Sequence, residues 1–158
     1  MIVNTFRFGP LEVPEDKVIT MERPILGFEG LAQFCLIEVD DLLPFVWFQS
    51  TDDPNVAFLV VNPIVFFPHY RIEINPKEIA ELTVKRVESV ETYVIVTVPE
   101  DPREISANLQ GPILINTENS LAKQLVLVNS EYRVQHPLFD ALEVLQGEAV
   151  VEPDAVLA

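Results

Sequence analysis

The sequence predicts a mostly β, single-domain fold: a compact antiparallel β-barrel-like arrangement with one or two short helices. Three observations lead there. Short runs rich in β-branched and aromatic residues recur between turn signals. Thirteen prolines punctuate the 158 residues, and few stretches hold a helix-length apolar period. Hydrophobic residues make up 49% of the chain, with ten Phe, one Trp and three Tyr, enough to fill one sheet-based interior without disulfides or metal.

Taken in order, Phe6, Phe8, Leu11 and Val13 are spaced for a first hairpin broken at Gly9-Pro10. Val18 to Met21 reads as the next strand. Phe34 to Val39 is a third, stopped by Asp40-Asp41. Phe45 to Gln49 leads into Asp52-Asp53-Pro54-Asn55, a dense turn signal. Ala57 to Val61 is continuously apolar, as in a strand buried on both faces. Val90 to Val98 is the clearest strand, and Pro99 stops it. Ile113 to Ile115 and Leu125 to Val128 close the pattern. One helix start is well specified, with Asn75 as cap, Pro76 at the first helical position and Glu78 three residues after the cap. That helix is expected from Pro76 to Leu82. A second follows Pro137, with Leu138, Leu142 and Leu145 on adjacent turns and Gly147 as its stop.

The charge narrows the classes of partner. The net charge is −15, because Lys and Arg are scarce. Phosphate binding needs clustered basic residues, so nucleic acid is not expected as a direct ligand. Between Arg23 and Arg71 there is no Lys or Arg, while Glu29, Glu38, Asp40, Asp41, Asp52 and Asp53 give that stretch −6. Residues 134–158 hold Asp140, Glu143, Glu148, Glu152 and Asp154 and again no Lys or Arg. Such surfaces steer a basic protein partner. The alternative is a solvated face that keeps the chain soluble. No basic flank followed by an apolar run opens the chain, and its apolar runs are far shorter than the roughly 20 residues a membrane helix needs. The lone Cys35, between Phe34 and Leu36, reads as a buried inert thiol in a reducing compartment.

Catalytic patterns are sparse. His69 and His136 have no companions at metal-ligand spacing, so no metal or cofactor is expected. Five glycines form no phosphate-cradling or nucleophile-elbow motif. Asp52-Asp53-Pro54-Asn55 lacks the further ligands of a calcium loop and reads as a turn. Gly27-Phe28-Glu29-Gly30 has the spacing of a nucleic-acid backbone clamp but carries Phe and Glu where basic residues would be needed, so it too reads as a turn.

Several segments resemble the FliW family. Pro24-Ile25-Leu26-Gly27-Phe28-Glu29 is similar to its Ile-x-Gly-Phe-Glu segment. Pro44-Phe45-Val46-Trp47-Phe48-Gln49-Ser50 resembles its Pro-Phe…Gln-Ser block, and Phe58-Leu59-Val60-Val61-Asn62-Pro63 its buried strand ending in Pro. Val96-Thr97-Val98-Pro99, then Ala107 through Ile113 with Asn116, match its most recognisable part, and Gln124 and Tyr132 to His136 complete it. The likeness covers about residues 2 to 138. It departs at Gly111, where the family pattern has a small residue, usually Ala.

The resemblance implies a barrel-like β domain over residues 1–138, with a short helical stretch and acidic tail over 139–158. It implies a non-enzymatic, cytoplasmic protein, monomeric when free, that binds the RNA-binding translational regulator CsrA and relieves its repression of flagellin synthesis. It also implies flagellin as a second partner, so that accumulated flagellin occupies the protein and releases CsrA. The basic-free stretch from Pro24 to Tyr70 is the expected CsrA surface, with Phe28 and Phe45 as anchors and Glu29, Asp52 and Asp53 as steering charges. An apolar groove for flagellin is expected along Asn108, Leu109, Gln110, Pro112 and Ile113, with Asn108, Gln110 and Asn116 meeting peptide backbone. The alternative for that segment is a tight turn inside the barrel. Two other classes stand beside this one: an acidic chaperone or scaffold without CsrA, and a small carboxylate-dependent hydrolase.

Overall fold

The structure, a computed structural model, describes residues 1–128 and 131–144. Leu145, Gly147 and the acidic tail lie outside them. A hairpin of β1 (Ile2–Thr5) and β2 (Gly9–Glu12) stands apart from the main sheet. That sheet holds β3 (Ile19–Arg23), β4 (Gln33–Ile37), β5 (Val46–Ser50), β6 (Ala57–Val61), β7 (Val90–Thr97), β8 (Ser106–Ala107), β9 (Ile113–Asn116), β10 (Leu121–Gln124) and β11 (His136–Pro137). The order β7-β6-β5-β4-β3-β10-β9 returns to β7 through a β7–β9 pairing, so seven strands close a barrel. All neighbours are antiparallel except β3 and β10, which run parallel.

β7 makes closure possible by its length. Residues 94–96 pair with β6 on one side, while Val90 to Tyr93 pair with β9 and Val96 and Thr97 with β8 on the other. Strand alternation then sorts the apolar residues. Phe34, Phe48, Val60, Ile113 and Ile115 point inward, and Phe34 and Phe48 stack 4.5 Å apart in the barrel core. The outward row of Val61, Val94, Val96 and Leu114 is buried as well, under Phe66, Tyr70, Leu82 and Leu138 of the connecting segments. The hairpin covers the outside of β4, where Val3 and Val13 enclose Cys35. Burial raises the thiol's pKa.

The expected strands at Ala57 to Val61, Val90 to Val98 and Ile113 to Ile115 are found within a residue at either end. Three local differences have physical causes. The hairpin turns at residues 6–8, because Thr5 Oγ1 accepts from the Phe8 N–H at 2.8 Å and donates to the Gly9 carbonyl; Gly9 (φ +69°) then opens β2. Ala57, Phe58 and Leu59 are half-buried, since β6 begins at a barrel mouth. The last long strand is β10, while residues 125–128 run past it in extended coil tied to Pro112 and Gln110 by backbone bonds.

The helix α1 (Pro76–Ala80) starts as expected, with Asn75 Oδ1 accepting from the Lys77 N–H at 3.0 Å. It ends earlier, and Thr83 takes a positive φ of 52° just beyond. A second helical turn spans 139–144.

Candidate functional site

The strand directions put the connections 24–32, 51–56 and 98–112 at one mouth of the barrel. A groove of about 480 Å³ opens there. Phe58 and Ile95, inward residues of β6 and β7, form its floor. Phe28 closes one side, its ring edge-on to Phe58 at 4.9 Å between centroids. Leu26 (66% exposed), Val126 (51%) and Val134 (56%) give it an apolar rim.

Amide side chains hold this rim in place. Gln124 at the end of β10 accepts from the Leu26 N–H at 2.9 Å through Oε1 and donates to the Gly111 carbonyl at 3.0 Å through Nε2. Asn108 Oδ1 accepts from the Gly111 N–H at 2.9 Å, and Gln110 Nε2 donates to the Leu127 carbonyl at 3.2 Å. The Asn108 Nδ2 and Gln110 Oε1 atoms thus stay free of protein hydrogen bonds among the described residues, at the edge of an apolar floor. One donor and one acceptor beside such a floor suit a peptide segment with an apolar anchor.

The other expected site residues fall in three places. Glu29 is exposed on the turn next to Phe28, and its Oε1 accepts from the Gly27 N–H at 3.1 Å. Asp52 and Asp53 sit at the same mouth, in the β5–β6 connection. Asp52 Oδ2 accepts from the N–H groups of Ala32 and Gln33, at 2.9 and 3.1 Å, and Asp53 Oδ1 accepts from the Asn55 N–H. Phe45 lies elsewhere, half-buried against Phe66 at 5.5 Å on the barrel's outer side. Leu109, Pro112 and Ile113 are buried, and Asn116 is 1% exposed, donating to the Leu82 carbonyl at 3.0 Å while accepting from the Glu118 N–H. Of the six residues expected to contact flagellin, Asn108 and Gln110 line the groove and Leu109, Pro112, Ile113 and Asn116 do not.

The groove residues missed in the sequence include its floor, Phe58 and Ile95, together with Leu26, Gln124, Val126, Val134 and Gln135. Val126 carried a signal. In Leu125-Val126-Leu127-Val128 the two leucines are buried and the two valines exposed, so an alternating all-apolar run marks an apolar surface.

Catalytic groupings do not form from the residues considered. Cys35 lies under the hairpin, whereas His136 packs against Phe67 and Tyr132. Burial, helped by the Arg133 charge, lowers the His136 pKa. No group of three or more His, Cys, Asp or Glu residues among those described is placed to hold a metal ion. No helix among them is long and apolar enough to cross a membrane.

Comparison with known proteins gives one consistent answer. The family model described as FliW protein matches residues 2–138. A flagellar assembly factor FliW of Thermoanaerobacter pseudethanolicus is 39% identical over 144 residues, covering 90% of this chain and 96% of the relative. That of Geobacter sulfurreducens is 39% identical over 140 residues, covering 89% and 87%. A crystal structure of the flagellar assembly factor FliW superposes with a TM-score of 0.81 at 33% identity, covering 88% of this chain and 97% of that one.

Proposed function

The chain belongs to the FliW family of flagellar assembly factors, and from that premise we propose that it is a cytoplasmic partner switch that binds CsrA and flagellin in alternation. Bound to CsrA, it relieves repression of flagellin synthesis. Bound to accumulated flagellin, it lets CsrA go. It works without cofactor or catalysis and is a monomer when free. Residues 1–138 carry the binding domain, with 139–158 as an appended helical stretch and acidic tail.

One observation carries the reading. Phe28, a candidate CsrA anchor, and Asn108 and Gln110, candidate flagellin contacts, line the same groove. Two partners that need one groove exclude each other. Flagellin offers terminal segments that stay partly unfolded before export, and their exposed apolar side chains suit the floor formed by Phe58 and Ile95. Mutual exclusion is reciprocal by linkage, and a coupling of roughly 1–3 kcal/mol changes affinity about 5- to 150-fold. Titration of CsrA into the protein with and without saturating flagellin tests it. CsrA affinity should fall when flagellin is present; equal affinity in the two titrations would end the switch, even with both binary complexes formed.

A further inference from the structure

The barrel has a second open mouth, opposite the groove, and nothing in the reading above uses it. The starts of β3, β5, β7 and β10 and the ends of β4, β6 and β9 meet there. A cleft of about 530 Å³ opens between this mouth and the hairpin. Its floor is apolar: Leu36 and Tyr93, half-buried inward residues of β4 and β7, lie with Ile115, and Leu11 and Val13 form the hairpin wall.

Alternation puts two carboxylates over this floor. Glu38 follows Leu36 on the inward row of β4, one residue past the strand end, and Glu91 precedes Tyr93 on the inward row of β7. β4 and β7 are separated by β5 and β6, so the two acids face each other across the mouth. The Tyr93 hydroxyl donates to Glu91 Oε2 at 2.9 Å. Burial above all, then the hydrogen bond and charge of Glu91 and the charge of Glu38, push the Tyr93 pKa well above its ordinary value, so both acids act on this one ring. Asp16 and Glu12 add two more carboxylates to the rim, Glu12 being paired with the N-terminal ammonium at 2.9 Å. Lys17 is the one cation lining the cleft, and it forms no ion pair among the described residues. Asp40 and Asp41 extend the negative surface into the β4–β5 connection at the same end, beside the exposed Leu42 and Leu43. These acids differ from Asp52 and Asp53, whose oxygens are engaged by backbone N–H groups. Acidic side chains therefore outnumber the single lining lysine around this apolar floor, and neither Glu38 nor Glu91 forms an ion pair among the described residues.

We propose that this mouth is a second docking site, taking a lysine- or arginine-bearing segment of a protein partner whose aliphatic stem lies on Leu36, Tyr93 and Ile115 and whose cationic head meets Glu38 and Glu91. The chemistry is complementary at both ends of such a side chain, because long basic residues pack their stems on apolar surface and keep the charge at its edge. The site lies at the opposite end of the barrel from the groove, so its occupant and a groove-bound segment fit on one molecule together. The inference goes beyond the switch proposed above and does not depend on CsrA being a partner.

A short alternating lysine–leucine peptide tests it, with an alternating serine–leucine peptide of equal length as control. Binding is read by fluorescence anisotropy and mapped by backbone amide shifts in the full chain. The lysine peptide should perturb Leu36, Ile37, Tyr93 and Ile115, and E38Q/E91Q should weaken it about tenfold and flatten its salt dependence. E100Q/E104Q, which removes equal charge from the β7–β8 connection, should leave affinity within about twofold. Thermal melts verify that both double variants fold. Equal losses in the two variants, equal binding of the serine peptide, or shifts confined to the Phe28 groove would each overturn the proposal. Failure of CsrA to bind would leave these outcomes unaffected and would count against the switch alone.

Discussion

A carboxylate that accepts two backbone N–H groups, as Asp52 does from Ala32 and Gln33, is a structural fastener before it is a surface charge. Asp52→Ala should cost about 1 kcal/mol of stability, since the residue is exposed, and Asp52→Asn less, because an amide oxygen still accepts. Urea unfolding of the two variants separates the fastening from the charge. Gly111 makes a second residue-scale case. A Cβ there would lie 2.9 Å from both Asn108 Nδ2 and Gln124 Nε2. Both are ends of flexible side chains, so Gly111→Ala should change stability by less than about 1 kcal/mol. It should displace Gln124 from the Gly111 carbonyl and loosen its hold on Leu26. Faster hydrogen exchange at the Leu26 N–H, with little change in the melting midpoint, is the expected signature. Glu81 supplies a pH dependence. Hydrogen bonds from Arg23, with the Lys123 charge and against partial desolvation, hold its pKa at about 2 rather than the ordinary 4.5. A depressed folded pKa means that its contribution is whole above about 4.5 and is lost as pH falls toward 2. Wild type and Glu81→Gln should therefore differ most in urea midpoint at neutral pH and converge in acid.

At the scale of elements, the five-residue α1 is too short to be stable alone and is held by its surroundings. Lys123, 5% exposed on the outer face of β10, donates to the Glu78 carbonyl at 3.2 Å and so pins the helix to the barrel. Asn116 at the end of β9 ties down the chain beyond it through the Leu82 carbonyl. Asn116→Ala should cost about 1–3 kcal/mol, because it strips a buried amide bond and leaves the Glu118 N–H without its acceptor. Thermal unfolding measures this directly. Elements of this kind were legible where the signal was local. The Asn75-Pro76 start could be read because a cap and a proline act within one turn. β7 could be read because eight residues of β-branched and aromatic character admit little else. β10 could not, since Leu121-Ala122-Lys123-Gln124 contains one strongly apolar residue and is made a strand by its neighbours β3 and β9. The two-residue β8 and β11 have no local signal at all.

At the scale of the molecule, the barrel depends on one packed interior, and Phe48 lies at its centre with 1% exposure, stacked on Phe34. Phe48→Ala should lose about 3–5 kcal/mol, seen as a large fall in the denaturant midpoint. The closed sheet was legible as a class, from strand character and apolar content. The groove was legible only in fragments. Phe28, Asn108 and Gln110 were each singled out, yet their meeting depends on the order in which strands pair, which no local run of residues specifies. The parallel contact of β3 with β10 has a further consequence, in the time domain. Thr20 lies beside Leu121, so the last seam joins the first barrel strand to the last. Long-range pairing of this sort slows folding, to roughly milliseconds to seconds in small β domains. During synthesis, at about 5–20 residues per second, β3 waits roughly 5–20 s before its partner has been made. Any sheet that forms from β3 to β7 in that interval has β3 as an unpaired edge, the kind of edge that invites pairing with other chains. A chain truncated before Leu121 would lack β10, and with it the strand that joins β3 to β9 and closes the barrel.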